Sequence, residues 1–136
     1  MKDDNCIFCK IAAGEIPSQT IYEDEDFRAI LDLGPATKGH TLILPKEHAA
    51  NLFELSDETA AKLTPLARKL GKQLVEKLGA DGLNVIQNNG EVAGQTVMHY
   101  HLHLIPRYKD DGQHLLWKPG ESTPEGLKEI CDRIKG

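Results

Sequence analysis

Three histidines at alternate positions, His99, His101 and His103, punctuate the otherwise apolar run that ends at Pro106. Only an extended chain puts alternate side chains on one face. Helical spacing would send His101 to the side opposite His99 and His103. The run therefore predicts a strand over 97–106, with Tyr100, Leu102 and Leu104 toward a core and the histidines together on the other face. Polar decoration of a solvent face would account for one histidine. Three of the chain's six, placed just after the glycine-containing loop Asn88-Asn-Gly-Glu-Val-Ala-Gly-Gln95, point to a working surface.

Those three cannot all serve one metal ion in an unbulged strand. Alternate residues lie about 6.7 Å apart, which separates His99 from His103 by about 13 Å. Zinc holds nitrogen ligands at about 2.0–2.1 Å. At least one of the three has a different task.

The rest of the chain reads as alternating short strands and helices. A short helix over 6–13 is stopped by Gly14 and turned by Pro17. Two apolar stretches flank an acidic turn over 20–32, which predicts a β-hairpin. A strand over 40–45 is closed by Pro45. Ser56 is the expected N-cap of a helix whose Leu63, Leu66, Leu70, Leu74 and Leu78 recur at three- and four-residue spacing, with Gly79 as its stop. Pro65 predicts a kink or a restart within it. A strand over 82–87 and a final helix over 124–134 complete the pattern. The expected fold class is α+β, an antiparallel β-sheet of about five strands with helices packed on one side.

With 136 residues the chain has room for one domain. It carries 16 basic and 21 acidic residues, a balance that excludes a broad nucleic-acid-binding surface. A single phosphate is still within reach of local groups. The start, Met1-Lys2-Asp3-Asp4-Asn5, is acidic and no secretory apolar region follows it. Nothing is long and apolar enough for a bilayer span, so the chain is expected to be cytoplasmic with no membrane partner. Three cysteines do not make a disulfide framework. Cys131 reads as a helix-face packing residue and His114 as a surface histidine. No P-loop sequence is present.

The combination of His99-Tyr-His-Leu-His-Leu-Ile105 with Gly94-Gln-Thr-Val-Met upstream, Gly39-His-Thr-Leu-Ile-Leu-Pro-Lys46 and Phe27-Arg-Ala-Ile-Leu-Asp32 resembles the histidine-triad (HIT) family of nucleotide hydrolases and transferases. The similarity spans about residues 6–107. It implies a single HIT domain over 1–136, with a C-terminal extension from about 108, and commonly a homodimer. It further implies that His101 attacks the α-phosphorus of a small purine nucleotide, giving a nucleotidyl-histidine that water hydrolyses. Neutral imidazole is a competent nucleophile for this. By the same resemblance, His103 and His40 contact the phosphate oxygens, and Gln95, Thr96 and Asn88 lie near the phosphate or leaving group. Asp32 would accept from the ribose hydroxyls; its plain alternative is a turn residue before Gly34-Pro35. Phe8 and Ile11, with Ile7, Ile16 and Leu42, would wall the base, or simply pack the core.

Cys6-Ile-Phe-Cys9 has the spacing of a zinc half-site and of a redox pair. A redox pair belongs near a βαβ unit, and none is predicted. Similarity to zinc-containing relatives of the bacterial type implies His48 and His99 as the other two ligands. Four protein ligands make a structural Zn(2+) rather than a water-activating one. Three functional classes follow: a HIT hydrolase acting on nucleoside phosphoramidates or dinucleoside polyphosphates, a nucleotide-binding regulatory module with negligible turnover, or a metal-dependent enzyme using His-x-His as ligands. The tail that begins with Leu115-Leu-Trp117 reads as a cover over substrate, as a reach toward a neighbouring subunit, or as a surface segment pinned by Trp117.

Overall fold

The computed structural model describes residues 5–136; residues 1–4, the acidic start of the chain, lie outside the described residues. Strands β1 Thr20–Glu23, β2 Phe27–Leu31, β3 Thr41–Pro45, β4 Gly82–Gln87 and β5 Leu102–Arg107 form one sheet in the order β1-β2-β3-β5-β4. Every neighbouring pair is antiparallel. Helices α1 Ile7–Ala12, α2 Asp57–Leu78 and α3 Pro124–Lys135 accompany it. This is the five-stranded antiparallel α+β arrangement that the sequence predicts. No helix among the described residues is long and apolar enough to cross a membrane.

Local chemistry accounts for the elements. The acidic turn between β1 and β2 is tied by Asp24, whose Oδ1 accepts from the amides of Asp26 and Phe27 at 2.8 Å each. A carboxylate that bonds the backbone two and three residues on is a turn-maker. Helix α2 starts where the Ser56 hydroxyl accepts from the Thr59 amide, and ends at Gly79 with a φ of 67° that favours glycine. Pro65 lies inside α2, which continues through it as one element without a restart. The sheet supplies the reason: Leu63, Leu66, Ala67, Leu70 and Leu74 are all buried against it, and that packing outweighs one missing backbone hydrogen bond.

Alternation along β3 divides the core in two. Ile43 joins Phe27, Ala29, Leu102, Leu104 and the leucines of α2 on one face. Leu42 and Leu44 face the other way and pack with Ile30, Ala12, Phe8 and Ile11. The expectation of helices on one side thus holds for α2 but not for α1. All five residues of β3 are buried, so a second apolar face needed cover, and α1 gives part of it. Helix α3 has no buried residue, and Leu127, Ile130, Ile134 and Cys131 stand exposed. Cys131 is therefore not a packing residue within the described chain. Trp117 is exposed as well and pins nothing there.

The last strand begins later than predicted, at Leu102 rather than Val97. The register pairs Thr41 with Leu104 and Ile43 with Leu102, so the next rung of the same kind would set Pro45 opposite Tyr100. Proline has no N–H to give to that rung. The Tyr100 amide donates instead to Ala49 O at 2.7 Å. His99 and His101 consequently precede the strand, and only His103 belongs to it.

Leu70, 1% exposed at the centre of the α2 face, is expected to dominate stability. Leu70→Ala should cost about 2–5 kcal/mol in urea unfolding; a loss near zero would show that the α2 face does not hold the sheet.

Candidate active site and metal centre

The face of the sheet shared with α1 carries a cavity of about 420 Å³, lined by Phe8, Ile11, Leu42, Asp32, His101 and His103, with Ile7, Ile16, Ile30 and Thr96. That volume suits a small ligand. Phe8, Ile11, Leu42, Ile7 and Ile16, predicted either to wall a base or to pack the core, all line the cavity, and of them Phe8, Ile11 and Leu42 also belong to the core. Ser18, Gln19, Leu33 and Val97 also line it. Nothing in the spacing of the sequence marks these four, or Pro17, Ile30 and Leu31, which line it too.

Backbone groups assign the protons of the histidines. A carbonyl only accepts, so His101 Nδ1 carries the hydrogen it gives to His99 O at 2.7 Å. His101 Nε2 is left with its lone pair. His99 Nε2 donates to Pro45 O at 2.9 Å, which frees His99 Nδ1 as a ligand atom. His40 Nδ1 accepts the Ala36 amide at 2.9 Å, so its Nε2 bears the hydrogen. That Nε2 lies 2.9 Å from His103 Nδ1 and 3.6 Å from Asp32 Oδ2.

The other predicted residues separate into two groups. His40 is buried behind His103 and is not a lining residue of the cavity. Asn88 and Gln95 do not line it either. The Gln95 side chain is spent on backbone: its Oε1 accepts from the Gly90 amide at 2.8 Å, and its Nε2 donates to Ala50 O at 2.6 Å and Val97 O at 2.9 Å. It pins the loop that leads to His99. Asp32 is the turn residue foreseen as its alternative, since Oδ1 accepts from the Gly34 amide at 2.9 Å, and it also borders the cavity. His114 is exposed, as expected.

Cys6, Cys9, His48 and His99 converge at the edge of this region. His99 Nδ1 lies 3.2 Å from Cys6 Sγ, 3.4 Å from Cys9 Sγ and 3.3 Å from His48 Nδ1, and Cys9 Sγ lies 3.3 Å from His48 Nδ1. Zinc–nitrogen and zinc–sulfur bonds of about 2.0–2.1 and 2.3 Å require tetrahedral donors about 3.3–3.7 Å apart. The donor set fits zinc. The Cys9 amide also donates to Cys6 Sγ at 3.1 Å, a bond that favours thiolate. Burial, with the neighbouring Cys9 thiol, pushes the Cys6 thiol up to about 11, and burial, with the neighbouring His48 and His101, holds His99 down to about 4. A cation would reverse the first preference and exploit the second.

A second convergence, Asp32, His40 and His103, suits a metal less well. A cation on His40 Nε2 would require the ring to lose its last proton while Nδ1 still accepts from Ala36. This arrangement is set up to hold protons.

Comparison with known proteins agrees with the geometry. The HIT domain profile matches residues 13–110, and the chain belongs to the HIT family. It is 42% identical over 131 residues to the adenosine 5′-monophosphoramidase hnt1 of Schizosaccharomyces pombe, covering 96% of each chain. The crystal structure of a HIT family protein from Bacillus subtilis superposes with a TM-score of 0.90 at 46% identity, over 97% of this chain and 96% of that one. A zinc-bound histidine triad family protein from Mycobacterium smegmatis superposes with a TM-score of 0.76 at 38% identity, over 96% and 95%.

Burial, then the neighbouring His101 and His40, hold His103 down to about 4 against the opposing pull of Asp32. Burial likewise lowers His40. The unfolded chain takes up these protons more readily than the folded one. Their contribution to stability is intact above the ordinary histidine value near 6.5 and is lost as pH falls toward 4. Histidine ring NMR should show His103 still neutral at pH 6, with a midpoint near 4; a midpoint at the ordinary value would contradict the buried environment described.

Proposed function

We propose that this chain is a nucleotide hydrolase that cleaves at the α-phosphate of a nucleoside phosphoramidate or a dinucleoside polyphosphate, releasing a purine nucleoside monophosphate such as AMP. The observation that carries this reading is the 2.7 Å bond from His101 Nδ1 to His99 O. It leaves a lone pair on Nε2 of a ring that lines the cavity. In the first displacement Nε2 bonds to the α-phosphorus as the bond to the leaving group breaks, and the leaving group departs with that electron pair. Water then attacks the same phosphorus and sheds a proton to solvent, matching the one the departed leaving group takes up. In that step the P–N bond breaks and its electron pair returns to Nε2.

Around that atom the other residues take supporting parts. His103 donates to a non-bridging oxygen and stabilises charge in the transition state. Asp32 accepts from the ribose, Thr96 lies at the leaving-group side, and Phe8 and Ile11 flank the base. The phosphoramidase activity named for the fission-yeast relative supports the kind of reaction. Incubation with adenosine 5′-phosphoramidate should release AMP, and His101→Ala should slow release by at least about a thousandfold. Undiminished turnover in that variant would overturn the nucleophile assignment.

A structural zinc ion on Cys6, Cys9, His48 and His99 is the second part of the proposal. Four protein ligands leave no position for water, so zinc would order α1 and His99 while the chemistry stays on His101. The donor spacings and the zinc-bound relative support it. Elemental analysis should find about one zinc per chain, and Cys6→Ala should lose it together with several degrees of melting temperature. Metal-free wild-type protein of undiminished stability would sink this part.

A further inference from the structure

We infer that His40 is a positioning residue, which fixes the proton of His103 on Nε2 rather than meeting the phosphate itself. The inference rests on the nucleotide reading above for its catalytic consequence, though not for its structural content.

The resemblance set His40 against the phosphate oxygens, but its ring is only 6% exposed and is not among the side chains lining the cavity. Both of its nitrogens are engaged. Nδ1 accepts the Ala36 amide at 2.9 Å, and an amide nitrogen never accepts in return. The neutral ring therefore carries its single hydrogen on Nε2. The nearest acceptor is His103 Nδ1 at 2.9 Å, with Asp32 Oδ2 farther away at 3.6 Å. Accepting this hydrogen obliges His103 Nδ1 to be bare, and the neutral His103 ring must then hold its own hydrogen on Nε2.

That nitrogen is the one available to a ligand, because His103 lines the cavity and its Nδ1 is taken. The relay runs in one direction, from the Ala36 amide through His40 to His103. A reversed His103, with hydrogen on Nδ1, would turn a lone pair toward an anionic phosphate and oppose two N–H groups at His40. One backbone amide in the turn after Gly34-Pro35 thus decides whether the cavity presents a donor or an acceptor. His101 is set by its own bond to His99 O, so the two cavity histidines reach complementary states, a bare Nε2 beside an N–H, by separate backbone contacts.

The test compares His40→Leu, which cannot relay, with His40→Gln, whose carboxamide offers an acceptor and a donor in one plane. Nitrogen-15 NMR of the free wild-type protein at neutral pH should show His103 as the Nε2–H tautomer. In H40L the two His103 tautomers should mix, and kcat on adenosine 5′-phosphoramidate should fall about tenfold to a hundredfold with KM little changed. H40Q should restore the tautomer and most of kcat. Wild-type His103 protonated on Nδ1 overturns the inference whether or not the variants fold. So does H40L with an unaltered Nε2–H signal, or H40Q as slow as H40L despite a restored tautomer, which would mean direct contact with substrate. A wild type with the expected tautomer and no turnover would instead refute the hydrolase reading and leave the relay standing.

Discussion

The arrangement of the site depends on Pro45 having no amide hydrogen. Hydrogen bonding between β3 and β5 runs through Thr41 and Ile43, and the next rung fails because proline cannot donate. The chain before Leu102 is thereby released from the ladder. The Pro45 carbonyl takes the ring hydrogen of His99 in place of a strand amide, and Tyr100 reaches Ala49 instead. An ordinary residue at position 45 would favour continuing the strand. His99, His101 and His103 would then stand in a row about 6.7 Å apart, with no means of meeting the cysteines of α1.

Freed in this way, the three histidines acquire different chemical identities without any difference in residue type. What distinguishes them is the backbone atom each one meets. Pro45 O leaves His99 Nδ1 bare, His99 O leaves His101 Nε2 bare, and the Ala36 amide, by accepting nothing, turns the hydrogen of His40 toward His103. Such bonds are directional and low in entropy because their backbone partners are already fixed by the sheet and its turns. Burial adds to the effect by keeping His103 and His40 neutral where exposed rings would begin to charge. A charged His103 would donate from both nitrogens and would conflict with the hydrogen on His40.

Much of this was legible in the sequence. The alternation of His101, Leu102, His103 and Leu104 placed the cavity and the core on opposite faces, because a two-residue period survives whatever the ladder does. The leucine spacing of α2 and its caps at Ser56 and Gly79 were equally direct. The start of β5 was not, although Pro45 was in view as a strand terminator; its effect on the partner strand appears only once the register is known. Gln95 illustrates a different limit. A polar side chain near a phosphate site reads as a ligand, yet three backbone groups claim it. No local pattern announces where a distant carbonyl such as Ala50 O will lie. The position of α1 was hidden for the same reason, since which face a short helix covers is decided by which face β2 and β3 leave apolar.

Helix α1 joins the two centres more closely than their separate chemistries suggest. It has six residues, too few to persist in water unaided, so its place is set by what holds its ends and its inner face. Cys6 caps it and Cys9 is buried within it, beside His48 and His99. Between those cysteines Ile7 and Phe8 reach the cavity, and the Phe8 ring meets the His101 ring edge-on with centroids 5.1 Å apart. Part of the cavity wall and two of the four candidate metal donors are thus one short segment. Whatever secures Cys6 and Cys9 also fixes the apolar surface against which the His101 imidazole rests. A metal ion on those four donors, with no open coordination position, would in this way bear on the geometry of the cavity without taking a chemical part there.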